Sequence, residues 1–106
     1  MDFWNLFKRP SIQEGLTRWE KMPGALLLDV RTRQEYAQGH LLGSQNIPVD
    51  ELERVAAIAP NRETPLFVYC LSGSRSGRAV RGLRRMGYKS VTNIGGISGY
   101  QGKVEV

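Results

Sequence analysis

The sequence predicts an α/β fold in which a small, mostly parallel sheet of about five strands has helices on both faces. Two short apolar runs, residues 25–30 (ALLLDV) and 65–69 (PLFVY), are typical of strands that are buried on both sides. Helical patterns alternate with these strands, which favours parallel pairing through right-handed crossovers. The chain has 106 residues, the size of one domain. We therefore expect a single domain over residues 1–106, with its core at 11–100 and an N-terminal segment at 1–10.

The first helix is predicted to begin after Ser11, whose hydroxyl can accept a hydrogen bond from the first turn while Glu14 reaches back. This helix should end near Met22, because Pro and Gly follow it. The apolar strand at residues 25–30 comes next. These elements place the first buried strand close to the start of the domain.

A second capping pair, Thr32 and Glu35, predicts a short helix that stops at Gly39. Residues 44–47 are predicted to form a short strand that ends before a proline. Apolar residues at spacings of three and four then predict a helix over residues 50–59.

The second buried strand, residues 65–69, carries Cys70 at its carboxyl end. A helix is predicted over residues 76–86, because apolar residues form one stripe and a glycine follows it. Residues 89–94 should form the last strand. Since ligands of parallel sheets bind beyond the carboxyl ends of the strands, Cys70 is predicted to lie at the functional edge.

The composition excludes several classes of site. One cysteine cannot form an internal disulfide, and one cysteine with one histidine cannot build a cysteine-based zinc site. We therefore expect no metal and no cofactor. The net charge of +5 favours anionic partners, but without interleaved aromatic residues it does not indicate nucleic acid binding.

No run approaches the roughly 18 apolar residues of a membrane span, and no signal peptide is recognised, so we expect a cytoplasmic protein. Segment 1–10 is apolar for a few residues, at Phe3, Trp4, Leu6 and Phe7. Two interpretations stay open for it. It either packs on the core or contacts a membrane surface or a partner.

The loop after Cys70 is predicted to hold an anionic sulfur. A free cysteine with a pKa of about 8.5 is mostly protonated at neutral pH, and its thiolate is the nucleophile. The amide groups of the loop and the start of the next helix can lower that pKa, and Gly73 permits the positive φ of a tight curl. Arg75 adds a charge at the rim. The predicted cradle consists of Leu71, Ser72, Gly73, Ser74, Arg75 and Ser76.

Three other polar residues lie near the same edge. Asp29 and Arg31 follow the first buried strand, where a structural ion pair is the favoured interpretation. His40 is a candidate base for the cysteine, but its position after a short helix favours a structural histidine with hydrogen-bonded ring nitrogens.

Taken together, these residues resemble the single-domain rhodaneses, the thiosulfate sulfurtransferase family. The resemblance covers roughly residues 11 to 100, and its motifs are specific only in combination. They are residues 29–31 (DVR), 35–36 (EY), 39–40 (GH), 46–48 (NIP), 69–76 (YCLSGSRS) and 95–96 (GG).

The resemblance implies that Cys70 takes a sulfane sulfur from a small anionic donor as a persulfide and passes it to cyanide, a thiol or a protein acceptor. It also implies that residues 71–76 hold the charged sulfur, with Arg75 near the donor's anionic group. Asp29, Arg31, Glu35 and His40 would mainly maintain the fold.

Two alternatives stay open. The phosphatases that share this fold have five residues between cysteine and arginine, whereas four separate Cys70 from Arg75, so a phosphatase or arsenate reductase is disfavoured. A non-catalytic module that binds anions or a protein is the other alternative, because four arginines lie on the polar side of the helix after the loop: Arg78, Arg81, Arg84 and Arg85.

Overall fold

The computed structural model describes residues 11–106. Segment 1–10, and the question of whether it packs on the core, lie outside the described residues. The strands are β1 (Leu26–Asp29), β2 (His40–Leu41), β3 (Gln45–Asn46), β4 (Leu66–Cys70), β5 (Val91–Gly96) and β6 (Val104–Glu105). The helices are α1 (Ile12–Glu20), α2 (Arg33–Gln38), α3 (Val55–Ile58) and α4 (Ser74–Arg85), with 3-10 helices at Val49–Arg54 and Ile97–Gly99.

The central sheet has four parallel strands in the order β3-β1-β4-β5. The predicted α/β class and mostly parallel sheet are therefore confirmed, with four strands among residues 11–106 where about five were expected. The remaining short strands do not join this sheet, because β2 pairs with β6 in a separate antiparallel ladder. The four strands of the sheet are those that the apolar runs and turn signals predicted.

Helices α1 and α2 begin at the predicted caps. The Ser11 hydroxyl accepts a hydrogen bond from the Glu14 amide at 3.2 Å, and Thr32 and Glu35 form both halves of a capping box. The predicted helix over residues 50–59 is instead a 3-10 helix followed by the single turn α3, because the backbone at Glu51 leaves the helical region. Helix α4 begins at Ser74, two residues earlier than predicted.

Alternate side chains of the buried strands supply two hydrophobic clusters, one on each face of the sheet. Leu27 and Phe67 pack on the side of α1, whereas Leu28 and Val68 pack with apolar residues of α3 and α4 on the other side. Both faces are therefore covered, as the runs without alternation predicted. Within residues 11–106, no helix has the length and apolar composition needed to cross a bilayer.

Candidate active site

Cys70 is the last residue of β4 and lies at the carboxyl edge of the sheet. It pairs with Gly96 of β5 and packs in the cluster on the α4 side, with none of its surface exposed. The thiol is thus buried, as a structural cysteine would be. Its function depends on what the sulfur faces.

The sulfur faces hydrogen-bond donors of the loop that follows it. The Gly73 amide donates to Cys70 Sγ at 2.9 Å, and Ser76 Oγ lies 3.4 Å from the same sulfur. This approach requires a sharp turn, which Gly73 makes with a φ of 106°. A side chain at this φ would be strained, so glycine permits the turn that brings the amide to the sulfur.

These contacts decide the ionisation of the thiol. Burial raises the pKa of Cys70, but the contact with the Ser76 side chain and hydrogen bonds from the amides of Ser76, Gly73 and Ser72 outweigh it, so the pKa lies below its ordinary value. The start of α4 contributes to this effect, because the N-terminus of a helix favours negative charge. The site therefore shifts the thiol towards ionisation despite its burial.

The loop is held against the end of β5. The Ser98 amide donates to the Leu71 carbonyl at 3.1 Å. A Cβ atom on Gly96 would lie 2.2 Å from that carbonyl oxygen and 2.6 Å from Ser72 Cα, so only glycine allows this approach. The exposed residues of the loop are uncharged, Leu71, Ser72 and Ser74, whereas the Arg75 side chain is half-buried.

Arg75 does not present a free guanidinium at the rim. Its two terminal nitrogens donate to the two carboxylate oxygens of Glu35 at 2.7 and 2.9 Å. The hydrogen bond from Arg75 lowers the pKa of Glu35 to about 2. Glu35 also accepts from the amide and hydroxyl of Thr32, so one carboxylate ties α2 to the start of α4.

Asp29 and Arg31 form the predicted ion pair, which is buried. Arg31 donates to both carboxylate oxygens of Asp29, with the shortest contact at 2.7 Å, and to the Gly39 carbonyl at 2.6 Å. Asn46 of β3 donates to the carbonyls of Asp29 and Arg31. These contacts fix the loop after β1 to its neighbours.

His40 is held by groups outside the cysteine loop. Its Nδ1 lies 2.8 Å from the Tyr36 carbonyl, its Nε2 lies 3.2 Å from Glu105, and its ring stacks on Tyr36 at 3.6 Å. Among residues 11–106, none of its hydrogen bonds involves Cys70. This arrangement supports a structural histidine and gives no support to the base.

Residues 12–103 match a family model described as the rhodanese-like domain. The chain belongs to this family. It is 42% identical over 71 residues to the thiosulfate sulfurtransferase PspE of Escherichia coli (strain K12), which covers 66% of this chain and 68% of that protein. It is 35% identical over 85 residues to human thiosulfate:glutathione sulfurtransferase, a match that covers 68% of this chain and 74% of that protein. A solved structure of a rhodanese with anions from E. coli is 36% identical to this chain, with a TM-score of 0.71. The match covers 76% of this chain and 96% of that chain.

One residue of this rhodanese-like site was not predicted from the sequence. The Asn93 side chain accepts from the Ser76 hydroxyl at 2.8 Å and from the Gly95 amide at 2.9 Å, and donates to the Gly73 carbonyl at 3.2 Å. It lies where the register of β5 against β4 shifts, which brings Gly96 opposite Cys70. The only signal for it was a polar residue before the glycine pair in a strand.

Proposed function

We propose that the protein is a sulfurtransferase in which Cys70 accepts a sulfane sulfur from thiosulfate or a persulfide donor and passes it to cyanide or a thiol. The observation that carries the proposal is the set of donors aimed at one sulfur, the Gly73 amide above all. Such donors stabilise a thiolate before the reaction and a charged persulfide after it. Relatives named thiosulfate sulfurtransferases support the same reaction class.

In the first half-reaction the Cys70 thiolate attacks the outer sulfur of the donor. A bond forms between Sγ and that sulfur, and the donor's S–S bond breaks. With thiosulfate the electron pair leaves on sulfite, so the enzyme then carries a Cys70 persulfide anion. No external oxidant or reductant is needed.

In the second half-reaction an acceptor attacks the outer sulfur of the persulfide. With cyanide the products are thiocyanate and the Cys70 thiolate. The chain has no second cysteine that could take the sulfur internally. The two half-reactions are therefore expected to follow ping-pong kinetics with an external acceptor.

Intact-mass spectrometry tests the proposal. Incubation with thiosulfate, or separately with a persulfide, should add about 32 Da at Cys70, the mass of one persulfide sulfur. Cyanide should remove the added mass and yield thiocyanate, and the Cys70→Ser variant should gain none. If the parent protein gains no mass with either donor, the proposal is wrong.

The two alternatives predict different results. A non-catalytic module should gain no sulfur from either donor while keeping its partners in the Cys70→Ser variant. A phosphatase needs a cation for the phosphate, whereas the Arg75 guanidinium is already bound to Glu35. Hydrolysis of an aryl phosphate that depends on Cys70 would nevertheless favour that alternative over sulfur transfer.

A further inference from the structure

The charge environment of the sulfur site bears on which donor it accepts. Thiosulfate carries a sulfonate group on its inner sulfur, whereas an organic persulfide carries a carbon group there. A sulfonate is bound most strongly by an unpaired guanidinium or ammonium group, because hydrogen bonds between charged partners are stronger than those between neutral partners. An organic persulfide has no such requirement.

The guanidinium nearest the site is already occupied. Arg75 binds Glu35 through two parallel hydrogen bonds, the geometry in which arginine and a carboxylate satisfy each other. The carboxylate is also held in place by Thr32 at the start of α2. An incoming sulfonate would have to displace a carboxylate that is fixed at two ends.

Other arginines that follow the carboxyl ends of the strands or lie in the first turns of α4 are paired as well: Arg31 with Asp29, Arg33 with Glu51, and Arg78 with Asp50. Arg81 and Arg85 have no carboxylate partner within residues 11–106. The Nη1 of Arg81 lies 4.0 Å from where a Cβ atom on Gly77 would be, in the first turn of α4. The arginine of the loop and those at the neighbouring strand ends are therefore already paired.

The exposed part of the loop suits an organic donor. Leu71, the residue after the nucleophile, is 45% exposed. Its carbonyl is held by Ser98, and the neighbouring exposed residues are serines. An apolar side chain on the exposed loop can contact the carbon chain of a persulfide, but it offers nothing to a sulfonate.

We propose that this site is selective for organic persulfide donors over sulfonate donors such as thiosulfate, and that Glu35 sets this selectivity by occupying the Arg75 guanidinium. The inference rests on the proposed sulfurtransferase function. In the favoured step, the Cys70 thiolate attacks the outer sulfur of R–S–S–H. The new S–S bond forms as the old one breaks, and the electron pair leaves on the thiolate R–S⁻, which takes up the proton.

The test compares two donors in single-turnover loading of Cys70, followed by mass spectrometry. The donors are thiosulfate and the persulfide of 2-mercaptoethanol. The parent protein should load faster from the persulfide. In Glu35→Gln the freed guanidinium should raise the ratio of thiosulfate to persulfide rate constants by about tenfold, the effect of one hydrogen bond to a charged group.

Glutamine is the suitable replacement because it preserves the capping box with Thr32. Glu105→Gln is the matched control. It removes the same charge from an exposed contact with His40 and leaves the arginine pairs named above intact. Its ratio should stay within about twofold of the parent, because exposed pairs contribute little.

A second variant provides a test if Glu35→Gln does not fold. Leu71→Arg adds a cation to the exposed loop and should also raise the ratio. If the parent prefers thiosulfate, or if the ratio is unchanged in folded Glu35→Gln, the inference is wrong; where Glu35→Gln does not fold, an unchanged ratio in Leu71→Arg contradicts it instead. Loading from neither donor would reject the proposed function itself, whereas loading from both donors at a ratio insensitive to Glu35 would reject this inference alone.

Discussion

Gly96→Ala tests whether the loop after Cys70 must lie against β5. The new Cβ would lie 2.2 Å from the Leu71 carbonyl oxygen, whereas ordinary contact begins at 3.4 Å. The loop must therefore move by about 1.2 Å, the difference between these two distances. A displacement of this size at a reacting group costs about 100-fold in rate, and overpacking costs about 1–3 kcal/mol of stability.

The assay is the second-order rate constant for sulfur loading of Cys70, with thermal unfolding measured in parallel. Gly99→Ala is the control, since a Cβ there meets nothing within 4 Å. Gly96 has an extended backbone with φ of −121°, so the substitution introduces a steric clash without backbone strain. If Gly96→Ala loads sulfur within about threefold of Gly99→Ala, far from the 100-fold loss expected for a misplaced site, the loop position is not what activates the thiol.

Three further results are expected. Ser76→Ala removes a side-chain contact that lowers the pKa of Cys70, so the pH at which alkylation reaches half its maximal rate should rise above that of the parent; an unchanged pH profile would exclude Ser76 from this role. Glu35 has a pKa of about 2 against an ordinary 4.5, so it contributes stability above pH 4.5 that is lost as the pH falls towards 2. Between pH 4.5 and 2, the free energy of unfolding of Glu35→Gln should depend less on pH than that of the parent protein. The same pH dependence in both proteins would contradict this. Tyr69→Phe leaves the buried Leu41 amide without its acceptor and should cost about 1–3 kcal/mol of unfolding free energy without slowing sulfur loading; slower loading at unchanged stability would be the opposite result.

Much of the fold follows from local patterns. The apolar runs at residues 25–30 and 65–69 identified the two central strands, because a strand covered on both faces needs apolar side chains on both. Thr32 and Glu35 fixed the start of α2 through side-chain contacts three residues apart. The number of strands in the sheet was harder to predict from the sequence. Strand β2 is only two residues long, and its pairing with β6 depends on the tertiary fold.

The sulfur site was predictable where its contacts are local. Cys70, Gly73 and Ser76 lie within seven residues, and the turn between them follows from the small residues of the segment. Asn93 was missed because it contacts this turn from another strand, at a register shift that no short motif specifies. The sequence therefore predicted the cysteine and the groups that contact its sulfur, but not Asn93, which contacts them from the neighbouring strand.

Arg75 illustrates why a motif predicts the presence of a charged group more reliably than whether that group is free to bind a ligand. The segment after Cys70 predicts a cation beside the sulfur, and the structure has one there. Its partner, Glu35, is forty residues away in a different helix, and no local pattern links the two. Pairing changes what the cation can do. A guanidinium that donates to both oxygens of a carboxylate keeps its positive charge, but it binds a second anion poorly. Donor selectivity in this protein should therefore follow the residue at position 35 as closely as the residues of the loop itself.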